Sequence, residues 1–570
     1  MIEQDVQSAL HIALEQDGMA SGCQLIDVRE PWHRVRDVAY SQLSASLTKK
    51  WTAGHRPSKK ACDAASSLFL HSNSLCAGWT YAPTSEWDAQ FMGETREQLS
   101  RFWRARYLGP SVCDHIDQIL AQARTGPGAA VGALGNDFYS KLFSSKLTSP
   151  STFVARLYYE EVSRNPTRVS AESIRASLAG HGVTIRGSRL AFAPKNADVA
   201  RCICTEPNLG IYFQLGFGRL LEVNLLRKLG ISLATQPFKN RELARIGSLD
   251  DSFATIDLSS ASDSMSLEML KWALPSDWFF YLSRLRSEYV SLDSGDVKLN
   301  MVSSMGNGFT FPLQTIFFSC IVRAVARVQG LTLIDPHGSE LGNWGVFGDD
   351  IIAPKIIAPH VIRVLNLFGF RVNDKKTFFE GPFRESCGHD YYRGLNVRGV
   401  YLKHTTTVQA RASAINQLIL FSTRTGLLVT HLVRELKGTA KFHFVPRWEN
   451  DDAGIRVPLF RVPKAKRSKR YQSYLYRCWR AVPRFLWIHP DRLHSPPGHK
   501  LRVWNPDGLY LSFLRGAVNA MKIGLREETV TYRTETGVAP NWDYVARDPS
   551  PYGDGVDWQR WETVVYLHVF

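Results

Sequence analysis

Apolar and polar positions alternate through residues 253–258 (FATIDL). Phe253, Thr255 and Asp257 fall on one face of a predicted strand, and Ala254, Ile256 and Leu258 on the other. Further on, in 344–352 (WGVFGDDII), apolar runs flank Gly348-Asp349-Asp350 on both sides. This is the pattern of strand, tight turn and strand, with Gly348 permitting the turn. Between the two segments, Leu313, Ile316, Phe317, Cys320, Ile321, Ala324, Val325 and Val328 recur at helical spacing, and Pro312 suits the first turn of that helix. Val361, Val364, Leu365 and Phe368 mark a second helix, which Gly369 ends. Residues 370–372 then read as a strand and 391–401 as another hairpin. Strand, helix, hairpin, helix and strand in this order predict a mixed sheet with helices on one face. Upstream, 193–207 reads as strand, loop and strand, and 1–125 as mainly helix and loop. The small-residue stretch 125–135 (TGPGAAVGALG) reads as a flexible joint, since no Gly-Lys-Ser/Thr follows to make a phosphate loop. No fixed-period repeat is present.

At 570 residues the chain is too long for one small core, and its 44% hydrophobic and 21% charged residues are ordinary globular usage. That composition excludes a disordered tail, a collagen and a coiled coil. The net charge of +16 points to a polyanionic partner, with nucleic acid ahead of anionic membrane. Nine cysteines without a C-x-x-C argue against disulfides and a zinc ribbon. Cys202 and Cys204, with Cys387 and His389, read as small buried side chains rather than metal ligands. The acidic start lacks a signal-peptide pattern, and Pro312, Gln314, Arg323 and Arg327 interrupt the apolar stretch 309–328, so no membrane span is expected. These features predict a cytoplasmic setting. Segment 461–480 carries eight Lys/Arg and no acid, with Tyr471, Tyr474, Tyr476 and Trp479 interleaved. Such cations pair with phosphates and such rings stack on bases, although a solvated basic surface has the same composition.

The chemistry rests on three aspartates. Adjacent ionised carboxylates at a turn with apolar support repel each other and need a cation between them. Hard divalent ions with oxygen ligands suit them, and Mg²⁺ keeps waters and substrate phosphates in its shell. If the Asp257 strand lies beside the Gly-Asp-Asp hairpin, Asp257, Asp349 and Asp350 converge, an arrangement that can hold two metals. Lys195 and Arg201 provide cations for a triphosphate, with Glu206 placed to steer Arg201. Two glycines in 303–314 allow close approach of a ligand. Either Lys375 or Lys376 can donate a proton to departing pyrophosphate.

In this order the parts resemble the palm of template-directed RNA polymerases: Asp257 matches the first motif, the 304–310 loop the second and Gly348-Asp349-Asp350 the third. The resemblance is specific to the replicase catalytic subunit of the positive-strand RNA bacteriophages (leviviruses). It is carried by 257–264 (DLSSASDS), 303–308 (SSMGNG), 347–352 (FGDDII) and 375–388 (KKTFFEGPFRESCG), and it covers about 190–405. It implies an α+β right-hand fold: an N-terminal region with fingers (1–250), a palm (251–405) of mixed or antiparallel sheet carrying a fingers insertion at about 275–300, and a thumb with C-terminal region (406–570). It implies primer-independent RNA synthesis on an RNA template with two Mg²⁺ ions, or Mn²⁺ in their place. The metal ligands would be Asp257, Asp349 and Asp350 with the Leu258 carbonyl nearby. Lys195 and Arg201 would hold the ribonucleoside triphosphate, and Asp263 would read the ribose 2′-hydroxyl. The polymerase group places an Asn in the second motif's helix, where this chain reads Phe311-Pro-Leu-Gln314; Ser304 and Asn307 are the expected substitutes. Lys375 joins the three aspartates as a candidate catalytic residue, the choice between it and Lys376 as proton donor being open at this level. The resemblance also implies host partners, namely the elongation factors Tu and Ts and a ribosomal protein.

Two other readings compete at this level. A reverse transcriptase is disfavoured by Gly348 and by the Asp263 arrangement. A non-enzymatic RNA-binding or translational-repressor protein suits segment 461–480, but convergent carboxylates would repel its RNA.

Overall fold

The structure, a computed structural model, describes residues 3–570 except 31, 53–55, 105–115, 197, 464–465, 472, 483, 488–504, 519–521, 526–529 and 540–555. Cys113 and Lys464 therefore lie outside the described residues. The fold is α+β, with long helices packed around several small sheets. At its centre the strand Asp350–Pro354 lies between Phe253–Ile256 and Gly345–Phe347, antiparallel to both. The central sheet, expected as mixed or antiparallel, is antiparallel. Its physical reason is the two-residue turn, which forces the hairpin strands to run in opposite directions. Parallel pairing occurs instead in the four-stranded sheet, where Ser188–Pro194 runs parallel to Tyr289–Leu292 and antiparallel to Ala200–Thr205. Residues 289–298, inside the 275–300 segment, thus join the sheet of the 188–205 hairpin.

The helix Thr310–Val328 is the spine of the larger core. Leu313, Ile316, Phe317, Ile321 and Val325 are fully buried, packed among the helices Glu86–Trp103, Asn208–Leu229 and Ala358–Leu367. By length and composition it could cross a membrane, but 78% of its apolar window is buried inside the protein. Arg323, one of its interruptions, pairs with Asp335 at 2.6 Å.

A second core joins distant parts of the chain. Leu10, Leu14, Val38 and Leu43 of the helices Glu3–Ala20 and Val35–Leu47 pack with Ile415, Leu432, Val433, Trp561 and Val565. Buried Asp17 caps the helix Thr430–Lys437, accepting from the backbone N–H groups of His431 (2.9 Å) and Leu432 (3.0 Å). A carboxylate at that helix N-terminus satisfies donors that would otherwise be orphaned. In the other direction, the helix Pro506–Leu514 packs on Pro166–Ala179 and Phe138–Phe143, where Asn505 donates to the carbonyls of Phe143 and Ala171. The cores therefore do not follow the chain-order boundaries at 250 and 405.

The stretch 125–135 is not a free joint. Lys141, 1% exposed, donates to the carbonyls of Gly126 and Gly128, both at 2.5 Å, and Val131 bridges to Pro207. Burial pulls the Lys141 ammonium down to about 8. The eight described cysteines are free thiols, and Cys202 and Cys204 sit in a small apolar cluster with Val290 and Met301.

Candidate active site

Three turns and one loop meet at the end of the central sheet. The ladder pairs Ile351 with Ile256, and one further step sets Asp350 across from Asp257. On its other side Asp350 pairs with Phe347, so Gly348 and Asp349 form the two-residue turn between them. Asp349 stands at the tip and Asp350 begins the strand. Gly348 has φ +61°, the left-handed region that suits glycine, and a Cβ there would lie 2.3 Å from the Phe311 ring. Its N–H donates to Thr315 Oγ1 at 3.0 Å, which fastens the turn to the core helix.

Each strand aspartate is held through one oxygen. Asn373 donates from Nδ2 to Asp257 Oδ2 at 2.8 Å and from its backbone N–H to the Asp257 carbonyl at 2.9 Å. The Cys387 N–H donates to Asp350 Oδ1 at 3.1 Å. That N–H comes from a turn whose residues Cys387 (φ +45°) and Gly388 (φ +75°) are both left-handed, joining the strands Phe383–Ser386 and His389–Tyr392. Fully buried Arg384 locks this second hairpin to the Asp257 strand, donating to the Phe253 carbonyl and pairing with Asp251, both at 2.6 Å. Leu258 is buried, with its backbone paired to Val372.

Burial pushes the Asp350 carboxyl up to about 6, with Asp349, Asp257 and Glu385 adding to it and the Cys387 N–H opposing. Asp257 is raised too, first by burial, while Lys376 and Asn373 oppose. Among the described residues no three or more His, Cys, Asp or Glu side chains are grouped closely enough to hold a metal ion by themselves. The donor set is two carboxylates facing each other across a strand pair and a third on the turn. Such an open set suits a hard divalent ion that takes its remaining ligands from water and substrate phosphates.

The lysines divide. Lys375 is exposed and makes no ion pair among the described residues. Lys376 pairs with Glu385 at 3.2 Å; burial works against its charge, but Glu385, Asp257 and Asp350 outweigh burial and raise its pKa. Lys195 and Arg201 stand at the mouth of the 188–205 hairpin, exposed, with Arg201 opposite Ala193 and the Lys195 N–H bonded to the Val199 carbonyl. Burial lowers the Lys195 pKa, and Arg201 and Lys376 crowd it further while Asp257 attracts it. Glu206 does not steer Arg201. It is buried, accepts from Ser287 Oγ at 2.6 Å and faces Gln214 and Asn307. Arg201 points to solvent one strand face away, so their nearness in sequence is not nearness in space.

Ser304 and Asn307 take different parts. Buried Ser304 donates to Asp263 Oδ1 at 2.5 Å. Burial raises the Asp263 pKa and the Ser304 bond holds it back. Asn307 turns back on its own loop, its Oδ1 accepting from the Phe309 N–H at 2.9 Å. Gly306, at φ +109°, lets this loop lie against the neighbouring strand, where a Cβ would sit 2.2 Å from the Cys204 carbonyl oxygen. Cys76, from the helix Lys59–Ala77, donates to the Asp263 carbonyl, and Ser266 donates to that of Cys76.

Segment 461–480 folds into strands. Tyr476 is 2% exposed and, with Arg480, binds Glu449; Trp479 packs on His443 and Phe442. Lys466, Arg467, Lys469, Arg470, Tyr471, Tyr474 and Arg477 remain exposed. Sequence reasoning missed Asn373, Cys387, Lys376's partner Glu385 and Cys76. The first three lie in or beside the string 373–388, and Cys76 carries no sequence signal.

Residues 55–437 match the model of a family described as RNA replicase, beta-chain. The chain is 43% identical over 338 residues to the RNA-directed RNA polymerase beta chain of Escherichia phage MS2, covering 59% of this chain and 56% of that one. It is 33% identical over 349 residues to the corresponding chain of Enterobacteria phage fr, covering 59% of each. It is 30% identical over 444 residues to the RNA-directed RNA polymerase subunit beta of Qbeta virus (strain MX1), covering 72% of each. The chain thus spans less than three fifths of the fr and MS2 relatives. Among solved structures it is similar to the RNA-dependent RNA polymerase of a human picobirnavirus, at 12% identity and TM-score 0.30, covering 72% of this chain and 86% of that one.

Proposed function

The chain belongs to the RNA replicase beta-chain family, and from that premise we propose that it is an RNA-dependent RNA polymerase that copies a positive-strand RNA phage genome without a primer. The observation that carries the reading is the placement of Asp350 across from Asp257 with Asp349 on the turn between strands. Asp257, Asp349 and Asp350, with the Leu258 carbonyl nearby, would hold two Mg²⁺ ions, which when bound supply charge neutralisation and activate the attacking 3′-hydroxyl.

This chain's own residues orient the rest. Asn373 and the Cys387 N–H each fix one oxygen of a strand aspartate. Lys195 and Arg201 would hold the triphosphate, Arg201 through its planar fork. Asp263, oriented by Ser304, would accept the ribose 2′-hydroxyl, which favours ribonucleotides and disfavours the reverse-transcriptase reading. Lys376, kept charged by its carboxylate neighbours, is the better placed of the two lysines to protonate pyrophosphate. The fingers, palm and thumb are proposed as chain-order regions that change near residues 250 and 405, with both apolar cores crossing those positions. The name "beta chain" on the relatives supports partner subunits; host factors Tu and Ts and a ribosomal protein are the proposed ones, in the cytoplasm of an infected bacterium.

The test is primer-free synthesis on added RNA, with and without divalent metal and host extract. Asp349→Asn should abolish incorporation and leave RNA binding intact. RNA binding that is indifferent to Mg²⁺ and yields no product would instead favour a repressor.

A further inference from the structure

Beside Lys195 and Arg201 the structure gathers further cations from segments far apart in the chain. Lys49 and Lys50 follow the helix Val35–Leu47 and lie outside the family match at 55–437. They are fastened to residues 398–403: the Thr52 N–H donates to the Lys403 carbonyl at 3.0 Å and the Leu402 N–H to the Leu47 carbonyl at 3.3 Å. Lys50 Nζ lies 4.5 Å from the centroid of the Tyr401 ring, and Arg398 Cζ lies 4.5 Å from the same centroid. Arg398 is answered by Asp390 at 3.3 Å. Lys49, Lys50, Lys195, Arg201 and Lys403 are exposed and have no ion pair among the described residues.

These cations share one field. Burial lowers the Lys50 pKa, and Arg398, Arg201, Lys403 and Lys49 lower it further. Lys195 feels both Lys49 on one side and Asp257 on the other. Asp390 answers Arg398, but Lys49, Lys50 and Lys403 have no carboxylate partner among the described residues, and like charges so placed repel one another and are relieved when an anion binds among them. Contacts tie the cluster to the aspartates: Lys50 and Arg398 share the Tyr401 ring, Arg398 pairs with Asp390, and Asp390 stands across from Glu385. Glu385 pairs with Lys376 and lies two residues before the Cys387 N–H that binds Asp350. The anion that suits the cluster is therefore one that reaches the aspartates with a short, dense charge.

We propose that Lys49 and Lys50, with Lys403, form the outer rim of the triphosphate site, drawing nucleoside triphosphates inward and passing pyrophosphate out. This rests on the polymerase reading. An RNA backbone would use the same cations, and the experiment separates the two.

The full chain, in the assembly that synthesises RNA, is compared with Lys49→Ala/Lys50→Ala and with Lys403→Ala. The expected result is a KM for nucleotide and an inhibition constant for pyrophosphate raised about 5-fold in the double variant, since exposed charge pairs contribute little each. The kcat and the RNA dissociation constant should not change, and the difference should shrink at high salt. Lys49→Arg/Lys50→Arg should restore the KM, and Arg156→Ala/Arg284→Ala, a matched charge loss elsewhere, should leave it as it was. An unchanged KM and pyrophosphate inhibition would overturn the rim. So would weakened RNA binding at constant KM, which assigns these lysines to the RNA path. A native chain that makes no RNA under any condition fails the polymerase reading itself, before any variant is compared.

Discussion

Asp350 stands across the strand pair from Asp257, one step beyond Ile351 and Ile256, with Asp349 and Glu385 in the same field. Burial and these neighbours raise its carboxyl to about 6, above the roughly 4 of an unfolded aspartate. The folded chain therefore binds that proton more tightly than the unfolded chain. The stability gained is full below the unfolded value and is lost as pH rises through about 6. In Asp350→Asn the cost of the buried charge is gone. Without metal, its melting temperature at pH 8 should exceed that of the native chain by about 2–4 °C. The gain should disappear at pH 4, and incorporation should be lost. Thermal melts in chelator at both pH values decide it, and a variant that melts lower at pH 8 refutes the account.

Asn373 spends its amide on Asp257, so Asn373→Ala should loosen the aspartate without removing it. Partners that orient a metal ligand are typically worth about 10–100-fold in metal affinity or activity. The Mg²⁺ concentration for half-maximal synthesis should rise within that range while the KM for nucleotide holds. Metal titrations under saturating nucleotide measure this directly.

Ser304→Ala removes the hydroxyl that orients Asp263. A hydrogen bond to a charged group contributes about 1.5–3 kcal/mol, so discrimination between a ribonucleotide and its deoxy analogue should fall about 10-fold or more. The comparison is the ratio of kcat/KM for the two on one template. An unchanged ratio removes Ser304 from ribose selection.

The neighbouring lysines make an internal control. Lys376→Met should cut the single-turnover rate about 100-fold, within the usual range for a general acid, whereas Lys375→Met should stay near the native rate. The opposite order would return the role to Lys375.

Much of the centre was legible. Apolar flanks marked both strands around Asp257 and Asp350, and helical spacing found the core helix together with its early proline. What period and composition could not provide was choice among near neighbours. Lys375 and Lys376 occupy one turn, and only tertiary packing distinguishes them, by pairing Lys376 with Glu385. Glu206 was paired with Arg201 through proximity in sequence, but the strand's end turned it into the interior toward Ser287. Cys387 acts through its backbone N–H in a left-handed turn, a role that its side chain does not advertise. Tyr476 and Arg480 looked like nucleic-acid contacts until tertiary packing supplied Glu449.

The smaller core has a consequence for how the protein is made. The apolar faces of the first two helices close on Leu432, Val433, Trp561 and Val565, which are synthesised several hundred residues after them. At about 5–20 residues per second, those faces wait tens of seconds for their partners. Lys49 and Lys50, which follow the second helix, would take their proposed place at the triphosphate site only when that wait ends.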